Sequence, residues 1–215
     1  MPEPGARALP RGPHKLSREE VEASQRQRLL AAATEAVAEK GYVATSVADV
    51  LRRAGVSRTT FYRMFTDKQD CFLAALQVNA DTVAALMEAE LEAARAESPD
   101  PLVRLDRVLG TYLDLLHAAP ALARVFLVDV YAAGPEAIEQ RRRTLDRFVD
   151  IVAETYRGSR GPLGTAPEQR MAAEVLVGAV SSMVTNAVGA GDVEALPAMR
   201  RPLMQLAERI LGHGD

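Results

Sequence analysis

From Ser17 onward the apolar residues of this chain recur at helical spacing. Leu29, Ala32, Ala33, Ala36 and Val37 fall at i, i+3, i+4, i+7 and i+8, which lays one stripe along one helix face. Ser17 and Glu20 have the spacing of a capping box, in which hydroxyl and carboxylate each satisfy an orphan backbone N–H. A first helix is therefore predicted from Ser17 to Lys40, with Gly41 able to end it in the left-handed cap conformation. Val47, Val50, Leu51 and Ala54 repeat the pattern over a short second helix from Ser46, with Asp49 at the capping-box position and Gly55 as the stop. Ser57 can cap a third helix running to Phe65, and Thr66 with Gln69 offers a further capping box for a fourth.

The fourth helix is predicted to be long, from about Asp67 to Glu97, carrying Phe72, Leu76, Val83, Met87 and Leu91 until Ser98-Pro99-Asp100-Pro101 breaks it. Five more helices follow at about residues 102–118, 121–132, 135–157, 167–189 and 196–211. Pro202 either kinks or starts the last one, whose stripe is Leu203, Leu206, Ala207, Ile210 and Leu211. No alternating runs of β-branched residues occur, so the fold class is all-α. The organisation expected is a Pro-rich, flexible basic arm over residues 1–16, a three-helix head over 17–66 and a larger helical body over 67–215.

Composition changes this picture little. With 48% apolar and 26% charged residues, wholesale disorder is excluded. The single cysteine, Cys71, allows no intrachain disulfide and no C-x-x-C site, which fits a reducing compartment. The first residues lack the apolar core of a secretory signal, and no run approaches about 18 consecutive apolar residues, so a cytoplasmic protein without membrane contact is expected. Charge is more informative in its distribution than in its net value of −3. Residues 1–70 hold 12 Lys/Arg against 9 Asp/Glu, whereas residues 71–215 hold 14 against 20, a basic head on an acidic body.

Residues 46–65 read as a helix-turn-helix, with Gly55 at the turn and small hydroxyl and basic side chains opening the second helix. Ser57, Thr59 and Thr60 can donate hydrogen bonds without bulk, and Arg58 can grip a guanine edge or a phosphate. Phe61 and Phe65 have the spacing of core residues that lock this helix in place.

The stretch from Arg28-Leu29-Leu30 through Glu39-Lys40-Gly41-Tyr42, Thr45-Ser46-Val47-Ala48-Asp49-Val50 and Ala54-Gly55-Val56-Ser57-Arg58-Thr59-Thr60-Phe61-Tyr62 to Asp67-Lys68-Gln69 resembles the tetracycline-repressor (TetR) family of transcriptional regulators. The resemblance implies a homodimer whose two heads engage adjacent major grooves of an operator, and a body that binds a small-molecule effector and dimerises. It implies that Thr45 or Ser46 reaches a phosphate, that Arg58, Thr59, Thr60 and Arg63 face base edges, and that Tyr62 and Lys68 hold the DNA backbone. Where many members carry His before the closing Phe, this chain has Met64. The plainer reading of the same residues is a cap for the threonines, a core ring for Tyr62 and a surface charge for Lys68.

In the body, Met87, Tyr112, Leu116, Phe126, Tyr131 and Phe148 fall on the helices that line the effector cavity in the resembled family, with plain core packing as the alternative. His117 is either a ligand contact or a surface histidine, and Arg141-Arg142-Arg143 reads as a solvated helix face. Helices eight and nine are expected to form the dimer interface, through Val177, Val180 and Val184 among small residues and through Leu203, Leu206 and Ile210. Cys71 is a buried filler or, near a helix N-terminus, a redox switch. Hydrolase, zinc-protease and nucleotide-binding motifs are absent, and no cofactor or metal is expected. The function expected is a ligand-responsive repressor; the alternative is a DNA-architectural or protein-interaction module without a ligand switch.

Overall fold

The computed structural model describes residues 17–157 and 165–211, side chains of 210 and 211 excepted. The expected basic arm, most of the loop after residue 157, His14, His213 and the Ile210 and Leu211 side chains lie outside the described residues. Among the described residues the chain is helical and contains no strand. The helices are α1 (Arg18–Lys40), α2 (Val47–Ala54), α3 (Arg58–Met64), α4 (Lys68–Glu97), α5 (Pro101–Ala118), α6 (Pro120–Leu127), α7 (Pro135–Thr155), α8 (Ala166–Ala190) and α9 (Arg200–Leu211).

Local chemistry sets most of these boundaries. The capping box of α1 is formed, with the Glu20 amide donating to Ser17 Oγ at 3.1 Å and the Ser17 amide to Glu20 Oε2 at 2.6 Å. Ser46 with Asp49 and Thr165 with Glu168 open α2 and α8 in the same way. Gly55 ends α2 at φ 61°, ψ 37°, a left-handed conformation that disfavours a side chain. Beside it Arg28 Nη1 donates to the Ala54 carbonyl at 3.0 Å, satisfying an acceptor that the helix end leaves open.

Several expectations are corrected. Gly41 has a positive φ of 80° but an extended ψ of 158°, so it breaks the chain away from α1 without a left-handed cap. The cap of α4 is Asp67, which accepts from the Asp70 amide at 2.9 Å; the Thr66–Gln69 box is not formed, and the Thr66 amide donates to Asp70 Oδ2 instead. The single helix expected over 121–132 ends at Leu127 and gives way to a 3-10 turn, Asp129–Ala133. Leu127, Val130 and Ala133, all buried, are spaced by three, and the 3-10 period aligns such residues on one side. Helix α9 begins at Arg200 after two short 3-10 turns, which places Pro202 in the first turn, where no intrahelical N–H is needed.

The apolar residues condense into three clusters. The head cluster joins Leu29, Ala33, Val50, Phe61, Phe65 and Cys71. A junction cluster joins Val37 of α1 and Phe72 and Leu76 of α4 to Val125, Val130, Ala133 and Ala137. The body cluster is the largest and draws on α4 through α9. Helix α8 has the length and apolarity of a membrane span, with mean hydropathy 1.5, yet 39% of that window is buried in the body, its buried side packed on the body core.

Phe61 is fully buried, whereas Val43, in the loop after α1, is 80% exposed. Phe61→Ala is expected to cost about 3–5 kcal/mol and Val43→Ala within about 0.5 kcal/mol, as read by urea unfolding of the two variants.

Candidate nucleic-acid interface and effector cavity

Helix α3 is held by its inner face and bare on its outer one. Phe61 and Phe65 pack 5.6 Å apart in the head core, and Arg26 of α1 lies over the Phe65 ring at 4.7 Å. Opposite them Arg58, Thr59, Tyr62 and Arg63 sit at i, i+1, i+4 and i+5, all exposed and on one face. Tyr62 is 49% exposed, its ring set edge-on to Phe61 at 5.2 Å and its hydroxyl end open to solvent. Arg58 stands over that ring at 5.8 Å, so the two side chains form one cationic and aromatic ridge. Arg63 is met only at 3.9 Å by Glu22, an exposed pair of little strength. Ser57 caps the helix by accepting from the Thr60 amide at 3.1 Å, and the Ser57 and Thr60 hydroxyls share a 2.9 Å hydrogen bond. Thr60 is half-buried, so of the two threonines it is Thr59 that stands free.

Two expected phosphate contacts turn out to be internal. Thr45 is buried, and its one hydroxyl hydrogen faces the Ala36 carbonyl at 3.1 Å and the Gly41 carbonyl at 2.8 Å. It closes the end of α1 and is not presented outward. The Lys68 ammonium donates to the Tyr42 and Thr45 carbonyls, each at 2.9 Å, and rests on the Tyr42 ring at 4.1 Å. Burial pushes its pKa below the usual lysine value. Lys68 therefore clamps the α1–α2 loop to α4. Ser46 is exposed, but its hydroxyl donates to Asp49 Oδ2 at 2.6 Å. Lys40, Ser46 and Arg52 all converge on Asp49, which holds its carboxyl well below the usual carboxylate range.

Two small apolar cavities lie in the body among the described residues. One of about 50 Å³ is lined among others by Met87, Leu109, Tyr112, Phe148, Leu176 and Ser181. The second, about 80 Å³, lies against α4 at Leu76, Asn79, Ala80 and Val83 and is also lined by Leu116, Phe126 and Arg141. Tyr112, Leu145 and Phe148 belong to both walls, and the Tyr112 and Phe148 rings meet edge-on at 5.6 Å between them. Of the six residues expected here, Met87, Tyr112, Leu116, Phe126 and Phe148 line a cavity; Tyr131 does not. The 3-10 turn swings Tyr131 outward, to 51% exposure.

Residues 29–75 match the family described as bacterial regulatory proteins, tetR family. The matched residues run from α1 through α3 into α4, so it is the head that carries the family's DNA-binding module. The chain is similar to the HTH-type transcriptional activator FasR of Mycolicibacterium smegmatis, 26% identical over 163 residues, which covers 76% of this chain and 70% of that protein. Its fold is shared by the fatty acid degradation regulator FadR of Bacillus halodurans, at TM-score 0.73 and 22% identity over 85% of this chain and 94% of that one. It is shared equally by the transcriptional regulator FadR of Bacillus subtilis in complex with stearoyl-CoA, at TM-score 0.72 and 21% identity over 84% and 96%.

Within the body, one residue read as solvated is not. Arg141 continues the inward stripe Arg141, Leu145, Phe148, Val152 at i, i+4, i+7 and i+11, a periodicity that would have singled it out from Arg142 and Arg143. Those two do face solvent, paired with Glu139 and Asp146. His117 contacts the Val193 carbonyl at 3.2 Å and lines neither cavity. Cys71 is buried, and burial pushes its thiol up to about 12, which makes it a packing residue and not a redox switch.

The depressed Asp49 carboxyl has a signed consequence. Its contribution is complete above the ordinary carboxylate pKa and fades as pH falls toward the lower folded value. Asp49→Asn is expected to melt below the parent at pH 7, and thermal scans toward pH 2 should show that gap narrowing; a constant gap would assign Asp49 a purely steric role.

Proposed function

We propose that the chain is a cytoplasmic, non-catalytic, dimeric regulator whose α3 helices read an operator and release it when an amphipathic molecule of the fatty-acyl class enters the body. The observation that carries this reading is the course of α4. The same helix supplies Cys71 and Ala75 to the head core, Phe72 and Leu76 to the junction, and Leu76, Asn79, Ala80 and Val83 to the wall of the larger cavity. A molecule that widens the cavity displaces the element on which the head is mounted. The apolar lining suits a hydrocarbon chain, and the stearoyl-CoA held by the Bacillus subtilis FadR supports that class of effector.

The DNA contacts follow from exposure. Arg58 and Thr59 read base edges, aided by Ser57 and Thr60 at the start of α3; Tyr62 and Arg63 meet the sugar-phosphate backbone, and Ser46 stands at the adjacent end of α2. Thr45 and Lys68 act behind these residues by fixing the loop that carries Ser46.

Dimerisation uses α8 and α9, through a different face than periodicity alone indicated. Val177, Val184 and Leu203 are buried in the chain's own core. Met171, Val175, Gly178 and Ser182 form the exposed stripe of α8, with Met183 of α8 and Leu206 of α9 also exposed. Nothing lies within 4 Å of a side chain built at Gly178, which leaves room for a symmetry-related helix.

Binding-site selection from genomic DNA with the purified protein tests the head. Recovery of one near-palindromic site is expected, and Arg58→Ala should lose about 1–3 kcal/mol there and relax base preference, whereas Tyr62→Ala should weaken all sequences alike. A flat pool would refute operator reading. Dodecanoyl-CoA added to the DNA complex should lower its affinity about tenfold in a fluorescence-anisotropy titration. Val175→Asp should convert the dimer to a folded monomer by light scattering; an unchanged dimer would move the interface elsewhere.

A further inference from the structure

Arg141 of α7 has no counter-charge among the described residues. The other arginines of α7 are paired, Arg142 and Arg143 as above and Arg147 with Asp81 at 2.8 Å and Glu88 at 3.0 Å. Arg141 meets only neutral groups among the described residues. Its Nε donates to Tyr131 Oη at 3.1 Å, Nη1 to the Phe126 carbonyl at 3.1 Å, and Nη2 to Ser181 Oγ at 2.9 Å and Thr185 Oγ1 at 3.2 Å. The guanidinium is half-buried and cannot shed its proton, so its charge stands against the cost of partial desolvation without a carboxylate to offset it.

The position of this charge is as telling as its isolation. Arg141 lines the 80 Å³ cavity, and Ser181, its hydrogen-bond partner, lines the 50 Å³ one. The two apolar cavities thus share a polar edge centred on a single cation. Its field reaches Tyr112 in the dividing wall, where it opposes the rise that burial imposes on that phenol. The Tyr131, Ser181 and Thr185 hydroxyls each accept from Arg141 and make no other protein hydrogen bond among the described residues, so each keeps an O–H to donate. Four of the five guanidinium N–H groups are engaged in this way; the remaining Nη1 N–H and the three hydroxyl donors around a positive charge are the chemistry that holds a carboxylate or phosphate.

We propose that Arg141, with Tyr131, Ser181 and Thr185, receives an acidic headgroup, a carboxylate or a phosphate, of an effector whose hydrocarbon chain lies in the two cavities. This rests on the fatty-acyl reading above and adds to it the group that recognises the charged end. It also adds a route to the head. Arg141 is bonded to both ends of the segment that contains Phe126 and Tyr131, and Val125 and Val130 of that segment pack on Val37 of α1 in the junction cluster.

Calorimetric titration of the full-length protein with dodecanoate, dodecanol and dodecanoyl-CoA tests the proposal. The parent should prefer dodecanoate or dodecanoyl-CoA over the uncharged alcohol by about tenfold or more, since hydrogen bonds to a charged group exceed neutral ones. In Arg141→Gln the preference should shrink to about twofold, with dodecanol affinity retained as the sign of an intact body. Acid preferred over thioester identifies the bound anion as the carboxylate; thioester preferred, and that preference lost in Arg141→Gln, identifies it as phosphate. Equal binding of acid, thioester and alcohol by the parent, binding of none of them, or a preference that survives Arg141→Gln overturns the proposal. Because the parent's ratio is read on unmodified protein, a variant that misfolds does not decide the matter. Alcohol that loosens the DNA complex as well as acid defeats this inference alone, whereas no effect of any acyl compound on DNA binding defeats the regulatory reading itself.

Discussion

Helix α4 belongs to three cores at once, and the rest of the structure depends on that. Its first turns bury Cys71 and Ala75 in the head and Phe72 and Leu76 in the junction, and its later turns bury Ala84, Met87 and Leu91 in the body. Adjacent residues of one helix point about 100° apart, so Cys71 and Phe72 can serve different clusters without a break in the backbone. A packed helix moves as a unit because cores are dense and resist gradual deformation. The head therefore cannot be reoriented without repacking the junction, and the body cannot expand beside Leu76 and Val83 without pressing on the helix that carries the head.

Polar contacts strengthen the same coupling where they are partly buried. Gln140 of α7 donates to the Leu73 carbonyl at 2.9 Å, and Gln69 donates to the Ala133 carbonyl at 3.1 Å, so α4 is stitched to α7 and to the 3-10 turn near the head. Asp129 in that turn has a buried carboxylate oxygen with no hydrogen-bond donor, Arg124 Nε lying 3.8 Å away, and burial pushes its carboxyl up. An incompletely satisfied carboxylate beside Gly41 at the end of α1 makes the junction a place where stability is given up. A junction held by apolar contact and short of polar satisfaction is easier to shift than either core it connects.

The head was nearly all legible in the sequence because its signals are local: the capping boxes, the glycine after α2 and the apolar stripes act within a few residues. Local reasoning failed where a side chain's partner is distant in sequence. Lys68 looks like a free surface cation until the Tyr42 and Thr45 carbonyls, more than twenty residues away, are seen to hold it. Tyr131 lies on the cavity side only if α6 continues past Leu127, and the competing 3-10 period turned it outward. On α8 the β-branched residues suggested an interface, yet Val184 is fully buried in the chain's own body, and it is Met171 and Val175 that are exposed. Composition identified an apolar helix with two usable sides; only the fold decided which side is occupied.

A ligand shifts a conformational equilibrium only by its difference in affinity for the two states. Here that difference is built into volume. Cavities of about 50 and 80 Å³ are far below the roughly 300–1,000 Å³ of ordinary ligand pockets, so neither has room for a long chain. In the proposed regulation such a chain binds only after the Tyr112–Phe148 partition parts and the two spaces join, and nearly all of its binding energy then favours the expanded state. The expansion is bounded on one side by α7, which Arg147 and Gln140 tie to α4, and on the other by α4 itself. A body that opens around a chain must therefore carry α4 with it, and in the proposed regulation the small resting cavities convert the binding of hydrocarbon into movement of the head.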